Sequence, residues 1–393
     1  MVTKKKSNID MCLFLFLAGG AILALYLRYA LMPEAYNDLT KAFSPWYDYI
    51  KQHGFAAYKD IWSIANYTPS YLYLLGLASL LPLPNIYAIK IIAICFDFVA
   101  ALYVYKHIRL LYPKYRYVPA IACMALLFAP TVVVNASMYG QCDIIHTSII
   151  LASLYCIMSA SNNKKVIVGI FLFGIAASVK MLSLFLLPLY LIICIKKRVS
   201  LLSLLLIPLA YIMTIIPSWC AGRNFLELLR IPINQIYASD KIILNAMNVY
   251  QFLPGITAFY KAGKIYTASM LFILVMMTLV SVKKEDFNNK VIIRLALIFS
   301  LVVPFFAPGI HERYFFIADV LSIVYAFYFP KYFYVPIVIN LTSLFSYGAF
   351  GLRIGPIPPA IILAFFVLSQ IVIVIADFMK TCVWPSPENE TLI

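Results

Sequence analysis

Charge is scarce in this sequence. Asp, Glu, Lys and Arg make up 12% of its 393 residues, hydrophobic residues make up 64%, and mean hydropathy is +0.91. No water-soluble chain carries that balance. Ten-residue alternation is also missing: the apolar residues run continuously over about 20 positions at a time, which excludes a transmembrane β-barrel and leaves helices. Acidic residues are the rarer sign, 16 against 31 basic, for a net charge of +15. In a soluble chain that excess would raise nucleic-acid binding. Here no basic stripe interleaved with aromatics is found. The Lys and Arg residues fall instead in short clusters, among them Lys4 to Lys6, Lys106 to Arg116, Lys164-Lys165 and Lys196 to Arg198, as cytoplasmic loops do. No nucleic-acid partner is expected. C-x-x-C pairs, zinc-type Cys/His spacing, internal repeats and low-complexity linkers are lacking as well. The eight cysteines read as small buried apolar side chains, although Cys142 and Cys220 both fall near outer helix ends, which leaves a disulfide between them open. Neither a metal nor another cofactor is expected.

What is present is a series of apolar runs. Lys4 to Lys6 followed by the run from Met11 resembles a signal peptide, yet the run continues for about 20 residues without a small-residue cleavage site, so a retained first helix is expected. With the N-terminus inside, twelve spans follow: 11–31, 86–107, 118–134, 144–160, 165–179, 181–195, 199–220, 265–282, 291–306, 314–330, 332–350 and 358–377. Eighteen of the 31 basic residues then lie in the short inner segments, which supports that orientation. The whole chain, 1–393, reads as one membrane-embedded all-α bundle. A long first outer loop, 32–85, contains an apolar stretch from Tyr71 to Leu83 that suits an interfacial helix. A second outer loop spans 221–264, and the tail 381–393 reads as a disordered cytoplasmic end.

Ionisable residues near hydrocarbon are expensive, so those at span ends carry functional weight. Asp38, Asp48 and Asp60 lie in the first outer loop, each also readable as a solvated charge or helix cap. Gln141 and Asp143 open the fourth span. Lys180 sits where a hairpin turns at the outer interface, placed either to snorkel or to bind phosphate. His311, Glu312 and Arg313 offer an imidazole, a carboxylate and a guanidinium in succession. Arg binds phosphate oxygens bidentately, and an Arg–Glu pair closing two helix ends is the plainer alternative. Lys90 and Asp97 share a helix face in the second span, and Asp97 is expected to contribute packing polarity or to pair with a partner. Asp319 is equally open. Carboxylates and cations gathered at one membrane face suit sugar transfer from a lipid phosphate, which needs a base for the acceptor hydroxyl and positive groups for the leaving phosphate.

These residues stand in blocks that resemble the GT-C superfamily of integral-membrane glycosyltransferases, and within it the bacterial proteins related to GPI-anchor mannosyltransferases. The blocks are Asp38 with Pro45-Trp46-Tyr47-Asp48, Asn66 to Leu75, Asn135 to Asp143, Lys180 before Leu184 to Pro188, Ala221-Gly222-Arg223, Gln235, Asn245 to Tyr250, and Pro308 to Asp319. The resemblance covers nearly the whole chain. It implies a polyprenyl-phosphate-sugar donor, an extracytoplasmic site, inverting transfer without an evident metal, and an acid residue in the first outer loop acting as base. That role carries over to Asp38, with Asp48 as second candidate. Lys180, His311 and Arg313 would hold the donor phosphate. Gln141, Asp143, Glu312, Asn245 and Tyr250 would line the sugar or acceptor pocket. Asn37, Tyr139 and Leu182 depart from the pattern, where a small residue, Trp and Gln are expected, and the last two bear on sugar or acceptor selectivity.

The expectation is therefore a multi-pass glycosyltransferase moving a sugar, with mannose first in view, from a lipid-linked donor to a glycan, lipid or protein acceptor. Its membrane would be the plasma membrane of a bacterium or the endoplasmic reticulum of a eukaryote. A transporter or lipid-linked-sugar flippase is the main rival. Such proteins keep their polarity near the bilayer midplane and often show repeats. An O-antigen polymerase or ligase would carry its largest outer loop late in the chain.

Overall fold

A computed structural model describes residues 2–36, 38–236, 241–253, 260–348 and 358–384. Helices account for most of them. The first, α1 (Val2–Leu31), leads into a wide helical turn, Leu39–Phe43, and then α2 (Ser44–His53), α3 (Ala57–Asp60) and α4 (Pro69–Ala78). Next come α5 (Asn85–Leu111), α6 (Tyr117–Leu127), α7 (Pro130–Ser137), α8 (Asp143–Met158) and α9 (Asn163–Val179). A 3₁₀ turn, Met181–Leu186, opens α10 (Leu187–Lys196), and another, Leu201–Leu205, opens α11 (Leu206–Cys220). The remainder are α12 (Phe225–Ile236), α13 (Tyr260–Ser281), α14 (Asn289–Phe306), α15 (Phe316–Tyr328), α16 (Tyr334–Tyr347) and α17 (Ala360–Phe378).

The twelve expected spans fall mostly on helix, with residues 349–350 of the span 332–350 outside the described ones, but they are not twelve equal spans. Among the described residues six helices are long and apolar enough to cross a membrane alone, or seven if the bent pair α6–α7 counts as one span. That is consistent with a membrane protein. The expected span 118–134 breaks because Pro130 lacks an N–H and pushes Ala129 into the extended region (ψ 125°), so the two halves meet at 49°. Pro188 is the second residue of α10, and Leu187 before it stays helical; the expected 181–195 is a 3₁₀ turn followed by a ten-residue helix. The predicted interfacial helix ends at Ala78, ahead of Pro82 and Pro84. The tail continues helically through Val383, against the expected disorder from Thr381. Its residues 385–393, like Asn37, lie outside the described ones. Cys142 is buried, Cys220 is exposed and both are free thiols.

Burial separates inner helices from the lipid-facing ones. In the apolar window of α14, 89% is buried, against 11% for α1, whose Phe14, Leu15, Ile22 and Tyr26 face outward. Around α14 pack α15 and α17, with α16 between those two, while α5, α6, α8, α9 and α11 form a second group that meets the first through α15. Helix ends meet at the predicted inner end: Lys196 donates to the carbonyls of Leu279 and Val282 at the end of α13, and Arg294 meets Asp377, which also accepts from Tyr325.

Asp97 has a partner. Arg28 on α1 donates to its carboxylate across 2.6 Å, and both side chains are buried. Removing one member of such a pair leaves a naked charge, so Arg28→Met is expected to destabilise the fold by about 3–5 kcal/mol, with Arg28→Met/Asp97→Leu recovering most of it. Denaturation of the purified single and double variants measures the difference; equal losses in both would show that the pair holds nothing together.

Candidate functional site

Four separate stretches are brought to the predicted outer end. The first begins where α1 stops. Lys90 of α5 donates to the carbonyls of Met32 (2.8 Å) and Glu34, fastening the strand that leaves the membrane. Beyond it, Phe43, Trp46, Tyr67 and Tyr71 pack ring against ring at 5.3 to 5.7 Å, and the Trp46 indole donates to the Ile64 carbonyl at 2.8 Å. This apolar wedge holds Asp38 over the helix ends. It also turns Tyr67 inward.

The second stretch is the turn from α7 to α8. Gly140 adopts φ +62°, and a Cβ there would meet Leu39 Cδ1 at 3.1 Å and Lys90 Cγ at 3.3 Å, so the left-handed turn and the close approach both call for glycine. The turn delivers Gln141 and Asp143 to one point. Gln141 donates from Nε2 to Asp38 Oδ2 at 2.9 Å, and Asn135 donates from Nδ2 to Asp143 Oδ2 at 2.9 Å. Lys180, the third contributor, follows α9 and forms an ion pair with Asp143 Oδ1. Thr68 donates to the Val179 carbonyl at 2.8 Å, which ties the hairpin to the first outer segment and leaves the Lys180 ammonium 5.8 Å from the rings of both Tyr67 and Tyr314.

The fourth stretch is Ile310 to Tyr314. A two-residue strand β1 (Ile243–Leu244) pairs in parallel with β2 (Ile310–His311), and Asn245 bridges His311. Arg313 is the hub: its guanidinium lies 3.0 Å from Asp38 Oδ2, 3.0 Å from Glu312 Oε1 and 3.9 Å from Asp143 Oδ2. His311 Nδ1 stands 3.8 Å from Glu312 Oε2. Exposure grades through the cluster, with side chains at 0% for Asp143, 8% for Lys180, 13% for Arg313, 36% for His311 and 43% for Asp38. Three buried polar atoms of the residues named here, Arg313 Nε, Gln141 Oε1 and Asn135 Oδ1, have no hydrogen-bond partner among the described residues.

The cluster resists neutralisation. Burial alone would lower the Lys180 ammonium pKa, but the Asp143 carboxylate beside it overrides burial and raises it. Burial opposes ionisation of Glu312 too, yet the His311 contact and the Arg313 charge bring its carboxyl below the usual range. Burial disfavours the Arg313 cation, and the Tyr67, Glu312, Asp38 and Asp143 groups around it hold its pKa well above the ordinary value. A depressed carboxyl stabilises the fold above its unfolded pKa and loses that contribution as pH falls through the folded value. The stability gap between wild type and Glu312→Gln is therefore expected to stay constant above about pH 5 and to close on acidification below it. Thermal melts of both proteins across pH read this directly; a gap that widens in acid contradicts it.

Of the expected site residues, Asp38, Gln141, Asp143, Lys180, Glu312 and Arg313 meet in this cluster, with His311 and Asn245 at its edge. Two sit elsewhere. Asp48 accepts from Asn85 Nδ2 at 3.2 and 3.4 Å at the start of α5, and the Tyr250 hydroxyl donates to the Phe306 carbonyl at 2.8 Å, at the end of α14. Asn135, which holds Asp143, and Tyr67, which faces Lys180, stand in the sequence only as parts of the family-like blocks. The eight-residue spacing from Asn135 to Asp143 across a Gly turn is the signal that would have paired them. Asp319 lies inside the bundle, its Oδ1 accepting from Ser343 at 2.7 Å. Among the described residues no three His, Cys, Asp or Glu side chains gather as metal ligands. Compared with models of known protein families the chain matches none, and it matches no curated protein.

Proposed function

We propose that this chain is a GT-C-type membrane glycosyltransferase that moves a sugar from a polyprenyl-phosphate donor to an acceptor hydroxyl at the extracytoplasmic face, with a twelve-span arrangement and mannose as the first sugar to try. The observation that carries the reading is the graded cluster: an accessible carboxylate, Asp38, shares a guanidinium with a buried anion–cation pair. In the reaction the acceptor oxygen bonds to the sugar C1 as the C1–O bond to phosphate breaks. Asp38 takes the hydroxyl proton, and the phosphate leaves with the bonding electrons.

Arg313 has two tasks in this scheme. It places Asp38 before substrate arrives, and its fork can then turn to phosphate oxygens, which frees Asp38 to accept the proton. Its unsatisfied Nε supports that second use. Lys180 contributes positive potential from beneath, with its ammonium committed to Asp143, and His311 stands at the open rim for the donor. Gln141 orients Asp38. Asp48 is occupied by Asn85, so the base assignment falls on Asp38.

The test is transfer by the purified protein in liposomes, offering radiolabelled polyprenyl-phosphate-mannose and polyprenyl-phosphate-glucose beside nucleotide sugars, with a broad acceptor set. Label moved from a lipid donor supports the reading. A folded protein that moves none, or that translocates the lipid donor unchanged between leaflets, sinks it in favour of a flippase.

A further inference from the structure

A cavity of about 520 Å³, with polar side chains on both walls, opens between the first outer segment and α12. Trp62 and Asn66 form one wall; Arg223, Glu227, Arg230 and Asn234 form the other. The last three lie at helical spacing on one face of α12, while Leu226 and Ile233 make a separate exposed apolar stripe. The helix is set in place on purpose-built contacts. Asn224 accepts at its N-terminus from the Leu226 and Glu227 amides at 2.9 and 3.3 Å, and Gln235 Nε2 clasps the Asn66 carbonyl at 2.6 Å.

The charges in this cavity do not cancel. Arg223 is paired with Glu227 at 2.6 Å, which leaves Arg230 as the cation without an ion pair or hydrogen bond among the described residues. The side-chain amides of Asn66 and Asn234 are likewise uncommitted there, each offering two donors and an acceptor. A cavity of this volume falls in the range of small-ligand sites, roughly 300–1,000 Å³. Its chemistry combines an aromatic surface for the apolar face of a ring, amides for hydroxyls, and a guanidinium for an anion. Its position adds to this. Asn66 lines the cavity while the next residue, Tyr67, faces Lys180 in the cluster.

We infer that this cavity binds a saccharide bearing an anionic group, a carboxylate or a phosphate, and that Arg230 selects for the charge. Only its further role, as the acceptor end of the transfer site, rests on the proposed reaction. Asn66 and Tyr67 then form the shared wall along which the acceptor hydroxyl reaches Asp38.

Binding can be read without turnover. Full-length protein in phosphatidylcholine nanodiscs is titrated with a glucuronate-containing disaccharide and with mannose 6-phosphate, each beside its neutral counterpart. The anionic sugar is expected to bind roughly tenfold tighter than the neutral one, and the two anionic probes show which acid the site prefers. Arg230→Gln should abolish the discrimination at unchanged melting temperature, and Asn234→Ala should weaken both sugars of a pair alike. Equal affinity for charged and neutral sugars in the wild type overturns the inference. So does discrimination that survives Arg230→Gln, or retention of phosphatidylglycerol through Arg230 with no saccharide bound, which would make the cavity a lipid headgroup site. Selective binding with no transfer defeats only the proposed reaction; transfer without selective binding defeats only this site.

Discussion

Replacing Asp38 with asparagine is expected to reduce sugar transfer by about 10²–10⁴-fold, the range that a positioned general base supplies, while the protein folds and melts as wild type does. The separation of the two effects follows from the geometry. Asp38 is the most exposed member of the cluster, at 43%, and its loss leaves Arg313 paired with Glu312 and near Asp143. Asparagine keeps the carbonyl oxygen that accepts from Gln141, so the side chain stays placed but no longer takes a proton. Asp48→Asn provides the contrast: its carboxylate holds Asn85, and transfer should stay within a few-fold of wild type. The measurement is initial transfer rate per folded protein for both variants. Wild-type turnover in Asp38→Asn, with transfer lost in Asp48→Asn, would reverse the assignment.

Lys180→Ala should act first on stability. The Lys180–Asp143 pair is nearly sealed, with side chains 8% and 0% exposed, and deleting the ammonium strands a carboxylate that keeps one amide donor, Asn135, at 2.9 Å, with Arg313 Nε no nearer than 3.9 Å. Breaking a buried pair by removing one partner destabilises by about 3–5 kcal/mol. Lys180→Met with Asp143→Leu removes both charges and should recover most of that loss. Activity then separates the two roles of the site. If Lys180 acts on the donor phosphate as positive potential, the double variant folds yet uses the lipid donor poorly, with acceptor dependence little changed. Equal melting of wild type and Lys180→Ala would show the pair to be dispensable to the fold.

The candidate site was legible in outline because ionisable residues at the ends of apolar runs have few structural uses. Asp38, the Gln141–Asp143 turn, Lys180 and Arg313 are separated by tens of residues in the chain, yet each stands at the end of an apolar run, and packing of those runs side by side is enough to bring the ends together. Their roles were less legible. Asp143 was expected to line a pocket, whereas it is fully buried as the counter-charge of Lys180. For Asp97 the sequence leaves packing polarity and pairing both open, and Arg28, 69 residues away, is its partner. Tyr250 stood in a pattern block, yet its hydroxyl is spent on the end of α14. In each case the deciding atom belongs to a helix distant in sequence, and no local spacing encodes it.

Sequence alone determined that this protein is helical, that it has runs apolar enough to cross a membrane, where most of those runs lie, and which ionisable residues stand at their ends. Those properties follow from transfer energies and helical length, which are summed along the chain one residue at a time. Tertiary structure decided which helices are central and which are exposed, and which carboxylate is buried and which is reachable. It also decided that Arg313 joins Asp38 to Asp143, and that α12 packs against Asn66 to line an open cavity. These are properties of packing. A side chain's burial and charge partner depend on what other helices present to it, and that is set only when the bundle closes.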